Sequence, residues 1–146
     1  MNNKFIELKP SSIKSTTINI PGSKSISNRV LLLSSLAHGK TIVKNLLQSD
    51  DTKIMLLALK KLGIKINFNH KLNQYNITGA DNEFPIKNAE LFIGNSGTTI
   101  RPLTAALAFN NGNYKLYGTN RMHERPIKDL VDSLNSIGSK IKYKQD

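Results

Sequence analysis

The segment GSKSISNR, residues 22–29, places cations and hydroxyls directly before a run of apolar residues. A helix that begins here exposes unpaired backbone N–H groups and about half a positive charge at its N-terminus. Lys24 adds a point charge, Ser25 a hydroxyl donor and Arg29 a bidentate guanidinium. This combination predicts a helix start that binds phosphate or another anion. The alternative is a serine N-cap flanked by solvated cations.

A second segment of the same type is GNSGTTIRP, residues 94–102. It combines Asn95 and Thr98 with two glycines ahead of a second helical pattern. Gly97 would let backbone N–H groups approach a ligand closely, because it has no side chain. Pro102 fits the first turn of the expected helix. We therefore expect a second anion-binding helix start, with an ordinary glycine-rich turn as the alternative.

The third segment is RMHERPIKDLVDSL, residues 121–134. Arg121 and Arg125 precede Pro126, which we expect to open a helix. Their spacing suits two cations that converge on one anion. It also suits a surface ion pair with Glu124, which would contribute about 0–1 kcal/mol.

The basic composition indicates an anionic partner. The 146 residues carry a formal net charge of +11, which favours nucleic acid or smaller anions. Tryptophan is absent and the lysines are spread along the chain, so no stacking platform for bases is evident. All four arginines, in contrast, fall at predicted helix starts: Arg29, Arg101, Arg121 and Arg125. The pattern favours small phosphorylated or carboxylated ligands over nucleic acid.

Residues for proton transfer or metal binding are sparse. Asp50 and Asp51 are adjacent carboxylates, but helix capping accounts for them. The three histidines lie far apart, and there is no cysteine, which excludes disulfides. GSKS lacks the first glycine and the spacing of a P-loop. A membrane-spanning helix needs about 18 consecutive apolar residues, and no run in this sequence approaches that length. The N-terminus is too polar for a signal peptide. We expect a cytoplasmic protein without metal or membrane contact.

Hydrophobic periodicity predicts strands and helices that alternate around these segments. Strands are expected at residues 16–20, 41–46 and 89–93, a hairpin at 64–78, and helices at about 25–37 and 50–62. A further helix follows each of the two later segments, and a last strand is expected near the C-terminal KIKYKQD. The sequence therefore predicts an α/β fold.

The two halves of the chain resemble each other. Aligning Gly22 with Gly94 matches Arg29 with Arg101, and Gly63 later matches Gly138. We interpret the halves as two copies of one βαβα unit with extra strands; chance similarity is the alternative. Repeated units with right-handed crossovers place equivalent helices side by side, with their N-termini facing the same way.

The motifs PGSKSISNR, GNSGTTIRPL and RMHERPI, in this order, closely resemble the EPSP synthase (3-phosphoshikimate 1-carboxyvinyltransferase) family of enolpyruvyl transferases. The resemblance runs over essentially all 146 residues. A sister family that acts on UDP-N-acetylglucosamine differs in the first motif and typically uses a cysteine loop.

The resemblance implies an inside-out α/β barrel domain built from three βαβαββ repeats. About two repeats are represented here, at about residues 21–80 and 89–146, which together form a partial domain over residues 21–146. Residues 1–20 would be a leading segment that joins the other domain of a considerably longer chain.

The resemblance also implies transfer of the enolpyruvyl group of phosphoenolpyruvate to the 5-hydroxyl of shikimate 3-phosphate, without cofactor or metal. Shikimate 3-phosphate would contact Lys24, Ser25 and Arg29, and phosphoenolpyruvate would contact Lys24, Asn95, Gly97 and Arg125. Gly97, Thr98 and Pro102 match the strip where the family senses the inhibitor glyphosate. The proton-transfer groups would lie outside this chain, and the full-length enzyme would be a monomer. A non-catalytic phosphate- or nucleic-acid-binding α/β module is the alternative.

Overall fold

The computed structural model describes Thr17 and residues 20–144, which form five helices and five strands. Their order is α1 (Lys24–Leu36), β1 (Lys40–Lys44), α2 (Asp50–Lys61), β2 (Lys65–Asn69), β3 (Gln74–Thr78), β4 (Asn88–Phe92), α3 (Gly97–Ala108), β5 (Asn113–Tyr117), α4 (Asn120–His123) and α5 (Lys128–Ser136). The α/β class is confirmed. The strand expected at residues 16–20 lies mostly outside the described residues.

The strands form two separate sheets. In the first, β3 lies between β1 and β2 and is antiparallel to both, so that Thr78 is opposite both Lys40 and Lys65. In the second, β4 and β5 are parallel, with Leu91 opposite Leu116. A parallel pair needs a crossover connection, and α3 supplies it.

One apolar core unites the two halves. Leu31 of α1, Met55 of α2, Ile77 of β3 and Leu103 of α3 are fully buried in the same cluster. Burying a side chain of this size stabilises the fold by about 1.5–3 kcal/mol. Since α1 contacts α3, the expected side-by-side packing is confirmed for this pair of equivalent helices, and α2 contacts both.

The N-terminus of α2 is capped by Ser49 and Thr52, so the side chains of Asp50 and Asp51 are available for other interactions. Ser49 is the N-cap, and its side chain accepts a hydrogen bond from the Thr52 backbone, while the Thr52 hydroxyl accepts one from the Ser49 backbone. This reciprocal box satisfies the end of the helix. The expectation that Asp50 and Asp51 serve as caps is therefore wrong: both lie in the first turn, where the helix dipole favours acidic side chains.

Three local predictions differ from the structure. Pro102 is the sixth residue of α3 rather than part of its first turn, so the Thr98 carbonyl lacks its usual backbone donor. The helix expected to open at Pro126 begins at Lys128. Residues 139–144 form no strand, because no neighbouring strand pairs with them in the described part of the chain.

Candidate functional site

Three helix starts meet at one place on the surface. The Asn28 amide of α1 donates to the hydroxyls of Thr98 (2.8 Å) and Thr99 (3.3 Å) in α3. The Thr98 hydroxyl in turn donates to Asp51 Oδ2 in α2, at 3.3 Å. The same carboxylate oxygen lies 2.8 Å from Lys24 Nζ. Side chains from α1, α2 and α3 therefore form one continuous polar cluster.

The ion pair between Lys24 and Asp51 is half open to solvent. The Lys24 side chain is 51% exposed and that of Asp51 is 20% exposed. Exposed pairs of this kind add about 0–1 kcal/mol to stability. The consequence is mainly geometric, since the pair ties the Lys24 ammonium to the start of α2, where Thr98 of α3 donates to the same carboxylate oxygen.

A buried hydroxyl network supports the start of α3. The Ser96 hydroxyl donates to Thr99 Oγ1 at 2.7 Å, and both residues are fully buried with Asn28 beside them. The Asn28 Oδ1 atom is also buried and receives no hydrogen bond within the described part of the chain. Leaving such an acceptor unpaired costs about 1–3 kcal/mol. The asparagine therefore holds α1 to α3 at an energetic cost.

Arg125 lies directly against the start of α3. Its Nε donates to Asn95 Oδ1 at 2.9 Å. Its Nη1 is 2.6 Å from the point that a Cβ on Gly97 would occupy. The bare backbone at position 97 is what lets the guanidinium lie here, because a side chain would occupy its place.

The hydroxyls at the start of α1 have separate roles. Ser23 caps the helix by accepting from the Ile26 N–H, and the buried Ser27 hydroxyl accepts from the Leu47 N–H. The Ser27 hydroxyl is therefore engaged within the protein, with the loop before α2. Ser25 is half-buried, and the exposed Arg29 lies one turn further along, on the same face of the helix.

The remaining arginines have different positions and contacts. Arg101 donates through Nη2 to the Pro126 carbonyl at 2.7 Å, which holds the segment after α4 against α3. Arg121 lies in α4, which follows β5. Arg125 contacts the cluster formed by the helix starts, and Arg29 lies exposed on α1.

Five of the predicted site residues are thus brought together: Lys24, Asn95, Gly97, Thr98 and Arg125. Lys24 and Thr98 both contact the Asp51 carboxylate. Arg125 lies against Gly97, the neighbour of Thr98 in the chain, and donates a hydrogen bond to Asn95. Pro102 lies in the second turn of α3.

Sequence reasoning missed Asp51 and Asn28. The signal for Asp51 was present: Ser49 and Thr52 have the spacing of a capping box, which left the adjacent carboxylates free for another partner. The signal for Asn28 was a polar residue within the apolar face of a helix.

The groups gathered in this cluster are mainly positive. The starts of α1, α2 and α3, together with Lys24 and Arg125, supply positive potential, and Asp51 opposes part of it. Within residues 20–144, no group of three or more His, Cys, Asp or Glu side chains is placed to hold a metal ion. No helix in this range is long and apolar enough to cross a membrane.

Fold and site together describe an α/β domain in which several helix starts bring polar and basic side chains together. The family model described as EPSP synthase (3-phosphoshikimate 1-carboxyvinyltransferase) matches residues 8–146. The chain therefore belongs to the EPSP synthase family.

Curated relatives include the 3-phosphoshikimate 1-carboxyvinyltransferases of Janthinobacterium sp. (strain Marseille), 54% identical over 139 residues, and of Ralstonia nicotianae, 54% identical over 140 residues. These matches cover 95% and 96% of this chain but only 32% of each relative. A solved EPSP synthase from Acinetobacter baumannii superposes with a TM-score of 0.78 at 27% identity, over 88% of this chain and 29% of that one. The chain therefore spans about a third of the length of the relatives it matches.

Proposed function

We propose that this chain is the N-terminal portion of an enzyme that transfers the enolpyruvyl group of phosphoenolpyruvate to the 5-hydroxyl of shikimate 3-phosphate and releases phosphate. The observation that carries the proposal is the convergence of Lys24, Thr98 and Arg125 from separate elements on one basic site. Both substrates are phosphorylated acids, and family membership supports this reaction. The product would lead towards chorismate and the aromatic amino acids.

Shikimate 3-phosphate is assigned to the start of α1. Lys24, Ser25 and Arg29 would hold its phosphate, with backbone N–H groups at the helix start adding further donors. Ser25 suits this role because Ser23 and Ser27 already make hydrogen bonds within the protein. Charge-assisted hydrogen bonds of this kind contribute about 1.5–3 kcal/mol each.

Phosphoenolpyruvate is assigned to the space between α1 and α3. Arg125 presents a planar fork suited to a carboxylate or phosphate, and Asn95 orients it through the hydrogen bond to Nε. The Gly97 backbone allows close approach, and Lys24 reaches the same space from α1. Gly97, Thr98 and Pro102 are the positions assigned to inhibitor sensing, with Pro102 acting through the geometry of α3.

Catalysis needs groups beyond this chain. Enolpyruvyl transfer proceeds through a tetrahedral ketal, and fixed positive groups stabilise the charges that develop on the way to it. The site described here supplies such groups. The proton-transfer residues are assigned to the longer protein, and the 146-residue chain is expected to bind ligand weakly and to be inactive alone.

We assign residues 21–146 to two repeats, at about 21–80 and 89–146, of a three-repeat domain. The element order supports this division, because α1–β1–α2 and α3–β5–α4–α5 follow the same sequence of types apart from the short additional helix α4. Residues 1–20, assigned to a crossing into the other domain, lie almost wholly outside the described residues. The longer protein is expected to act as a cytoplasmic monomer without cofactor.

The test is ligand binding to the chain by calorimetry, together with phosphate release from both substrates. Arg29→Ala should weaken binding of shikimate 3-phosphate by about tenfold or more, since a charge-assisted contact is lost. Lys71→Ala, in the turn between β2 and β3, should leave binding unchanged. Equal effects of the two variants would contradict the assignment, and full turnover by the chain would contradict the placement of the proton-transfer groups.

The net charge of +11 supports a second candidate, a non-catalytic phosphate- or nucleic-acid-binding module. Such a module would bind DNA or RNA with an affinity that falls steeply with salt, because counterions are released on binding. It would also be indifferent to shikimate 3-phosphate. A titration of both ligands at two salt concentrations separates the two functions.

A further inference from the structure

Asn28 donates both protons of its side-chain amide to the first turn of α3. Its Nδ2 atom lies 2.8 Å from the Thr98 hydroxyl oxygen and 3.3 Å from the Thr99 hydroxyl oxygen. Asn28 and Thr99 are fully buried, and Thr98 is half-buried. An amide nitrogen of this kind carries two N–H donors and accepts nothing, so each threonine hydroxyl is the acceptor in its contact with Asn28.

The two threonine hydroxyls direct their own protons to α2. Thr99 Oγ1 also accepts from the Ser96 hydroxyl at 2.7 Å, so both of its lone pairs are occupied. Its proton is directed to the Asp51 carbonyl oxygen, at 3.4 Å. The Thr98 proton is directed to Asp51 Oδ2, at 3.3 Å. The hydrogen bonds therefore run in one direction, from α1 through α3 to α2.

The unpaired acceptor of Asn28 is a consequence of this direction. Its Oδ1 atom is buried and receives no hydrogen bond from the described residues. If the amide were rotated by half a turn, Oδ1 would accept from both threonines, but their protons would then point away from Asp51. Buried side-chain acceptors without a partner are rare in folded proteins and call for an explanation. The observed orientation keeps both threonine protons on Asp51.

The effect of Asn28 extends to Lys24. The Ser96 hydroxyl oxygen, 3.4 Å from Thr98 Oγ1, is a competing acceptor for the Thr98 proton. Without the donor from Asn28, the Thr98 hydroxyl is free to rotate towards Ser96 and away from Asp51. The carboxylate oxygen that would lose this hydrogen bond is the one that lies 2.8 Å from Lys24 Nζ.

We propose that Asn28 is a positioning residue, which directs the Thr98 and Thr99 hydroxyls to Asp51 and thereby fixes the Lys24 ammonium for its ligand. This inference rests on the proposed function, because Lys24 is the residue assigned there to both substrates. Asn28 is buried and contacts neither substrate, so it acts on them only through Lys24. The role is distinct from holding α1 to α3, which a well-packed apolar side chain could do equally well.

Asn28→Leu separates the two roles, because leucine has a similar shape but no N–H to donate. The free energy of unfolding in urea should change little, since the loss of two hydrogen bonds is offset by removal of the unpaired acceptor. The Lys24 side chain should become more mobile. Its Cε order parameter, measured by NMR without ligand, should fall towards that of the exposed Lys71.

A second variant breaks the same chain of hydrogen bonds one step later. Thr98→Val removes the hydroxyl at nearly the same volume, and it should lower the Lys24 order parameter as Asn28→Leu does. The double variant should lower it no further, because both substitutions remove the same hydrogen bond to Asp51. Thr98→Val alone decides the matter if leucine at position 28 prevents folding.

Ser35→Ala is the matched control. Ser35 is fully buried in the same helix, and its hydroxyl donates to the Leu31 carbonyl at 2.8 Å. The substitution removes a buried hydrogen bond from α1 without touching Thr98, Thr99 or Asp51. It should therefore leave the Lys24 order parameter unchanged.

Binding of shikimate 3-phosphate is measured in parallel by calorimetry. Asn28→Leu should weaken it by about tenfold, a size typical of coupling within one hydrogen-bond network. In a Lys24→Met background the same substitution should have almost no effect. If the unaltered chain does not bind shikimate 3-phosphate, the proposed function fails, whereas the measurements on Lys24 without ligand still decide the role of Asn28.

Three results would overturn the proposal. One is a Lys24 order parameter that is the same in Asn28→Leu, in Thr98→Val and in the unaltered chain. Another is an equal loss of affinity with and without Lys24, which would mean that Asn28 acts by general loosening of the helices. The third is the absence of nuclear Overhauser contacts from the Asn28 Nδ2 protons to the Thr98 and Thr99 side chains, which would show that the amide lies the other way round.

Discussion

The Lys24 ammonium lies 2.8 Å from the Asp51 carboxylate, and the pair joins the start of α1 to the start of α2. Thr98 donates to the same carboxylate oxygen from α3. One acidic side chain thus sets the position of a cation and a hydroxyl in a site that is otherwise basic. This arrangement makes Asp51 a positioning residue that acts through Lys24.

Asp51→Asn should weaken binding of shikimate 3-phosphate, because Lys24 loses the charge that orients it. The effect should nearly vanish in a Lys24→Met background, since Asp51 is argued to act through that lysine. A double-mutant cycle measured by calorimetry tests this coupling. Asp50→Asn is the matched control, because the Asp50 side chain is 95% exposed and pairs only loosely with Lys53, at 3.8 Å. Additive losses for Asp51→Asn and Lys24→Met would contradict the coupling.

Gly97→Ala should displace the Arg125 guanidinium, because the new Cβ would lie 2.6 Å from Nη1. Folding stability should change by less than about 1 kcal/mol, since the clash involves the end of a flexible side chain. Affinity for phosphoenolpyruvate should fall by about tenfold, as one charge-assisted contact is lost. In an Arg125→Ala background the same substitution should cause a smaller further loss of affinity, because only the direct approach of the ligand to the backbone at position 97 is then blocked. A loss in that background as large as in the unaltered chain would mean that displacement of the arginine plays no part in the effect.

Gly79→Ala should destabilise the whole chain. A Cβ at this position would lie 2.0 Å from the Ala37 carbonyl oxygen, which is backbone and cannot turn aside. The free energy of unfolding, measured with urea, should fall by about 1–3 kcal/mol or more. Gly39→Ala isolates the conformational cost, because φ is +81° at position 39 and a Cβ there would meet no other part of residues 20–144 within 4 Å. Its cost should be about 1–2 kcal/mol, that of the left-handed conformation alone. An equal or larger cost at position 39 would show that the contact with Ala37 is unimportant.

Asn28→Ala should loosen the junction between α1 and α3. The substitution removes the hydrogen bonds to Thr98 and Thr99 and leaves a small cavity. We expect a loss of about 1–3 kcal/mol in the free energy of unfolding, reduced by the removal of the unpaired Oδ1. Ser27→Ala is the neighbouring control, since it removes a single hydrogen bond to the Leu47 N–H and should cost less. Chemical denaturation of both variants measures whether Asn28→Ala lowers the free energy of unfolding more than Ser27→Ala does.

Much of the fold was predictable from local pattern. The alternation of residues 64–78 predicted the hairpin of β2 and β3, and apolar periodicity predicted α1, α2 and α3 to within a few residues. Predictions from local pattern were wrong where strand pairing depends on residues far apart in the sequence. Residues 140–144 have the composition of a strand but form none, since a strand is stable only when a neighbour supplies its hydrogen bonds.

The sequence by itself determined the chemical character of the site. Gly22, Lys24, Arg29, Gly97 and Arg125 were identifiable because glycines, hydroxyls and cations before apolar runs predict helix starts that attract anions. The sequence separation between these segments does not indicate which of their side chains are in contact. Only the packing of α1, α2 and α3 on one core brought Asp51 to Lys24 and Thr98, and Arg125 to Gly97. Contacts between residues tens of positions apart depend on how whole elements pack, and no local preference specifies them.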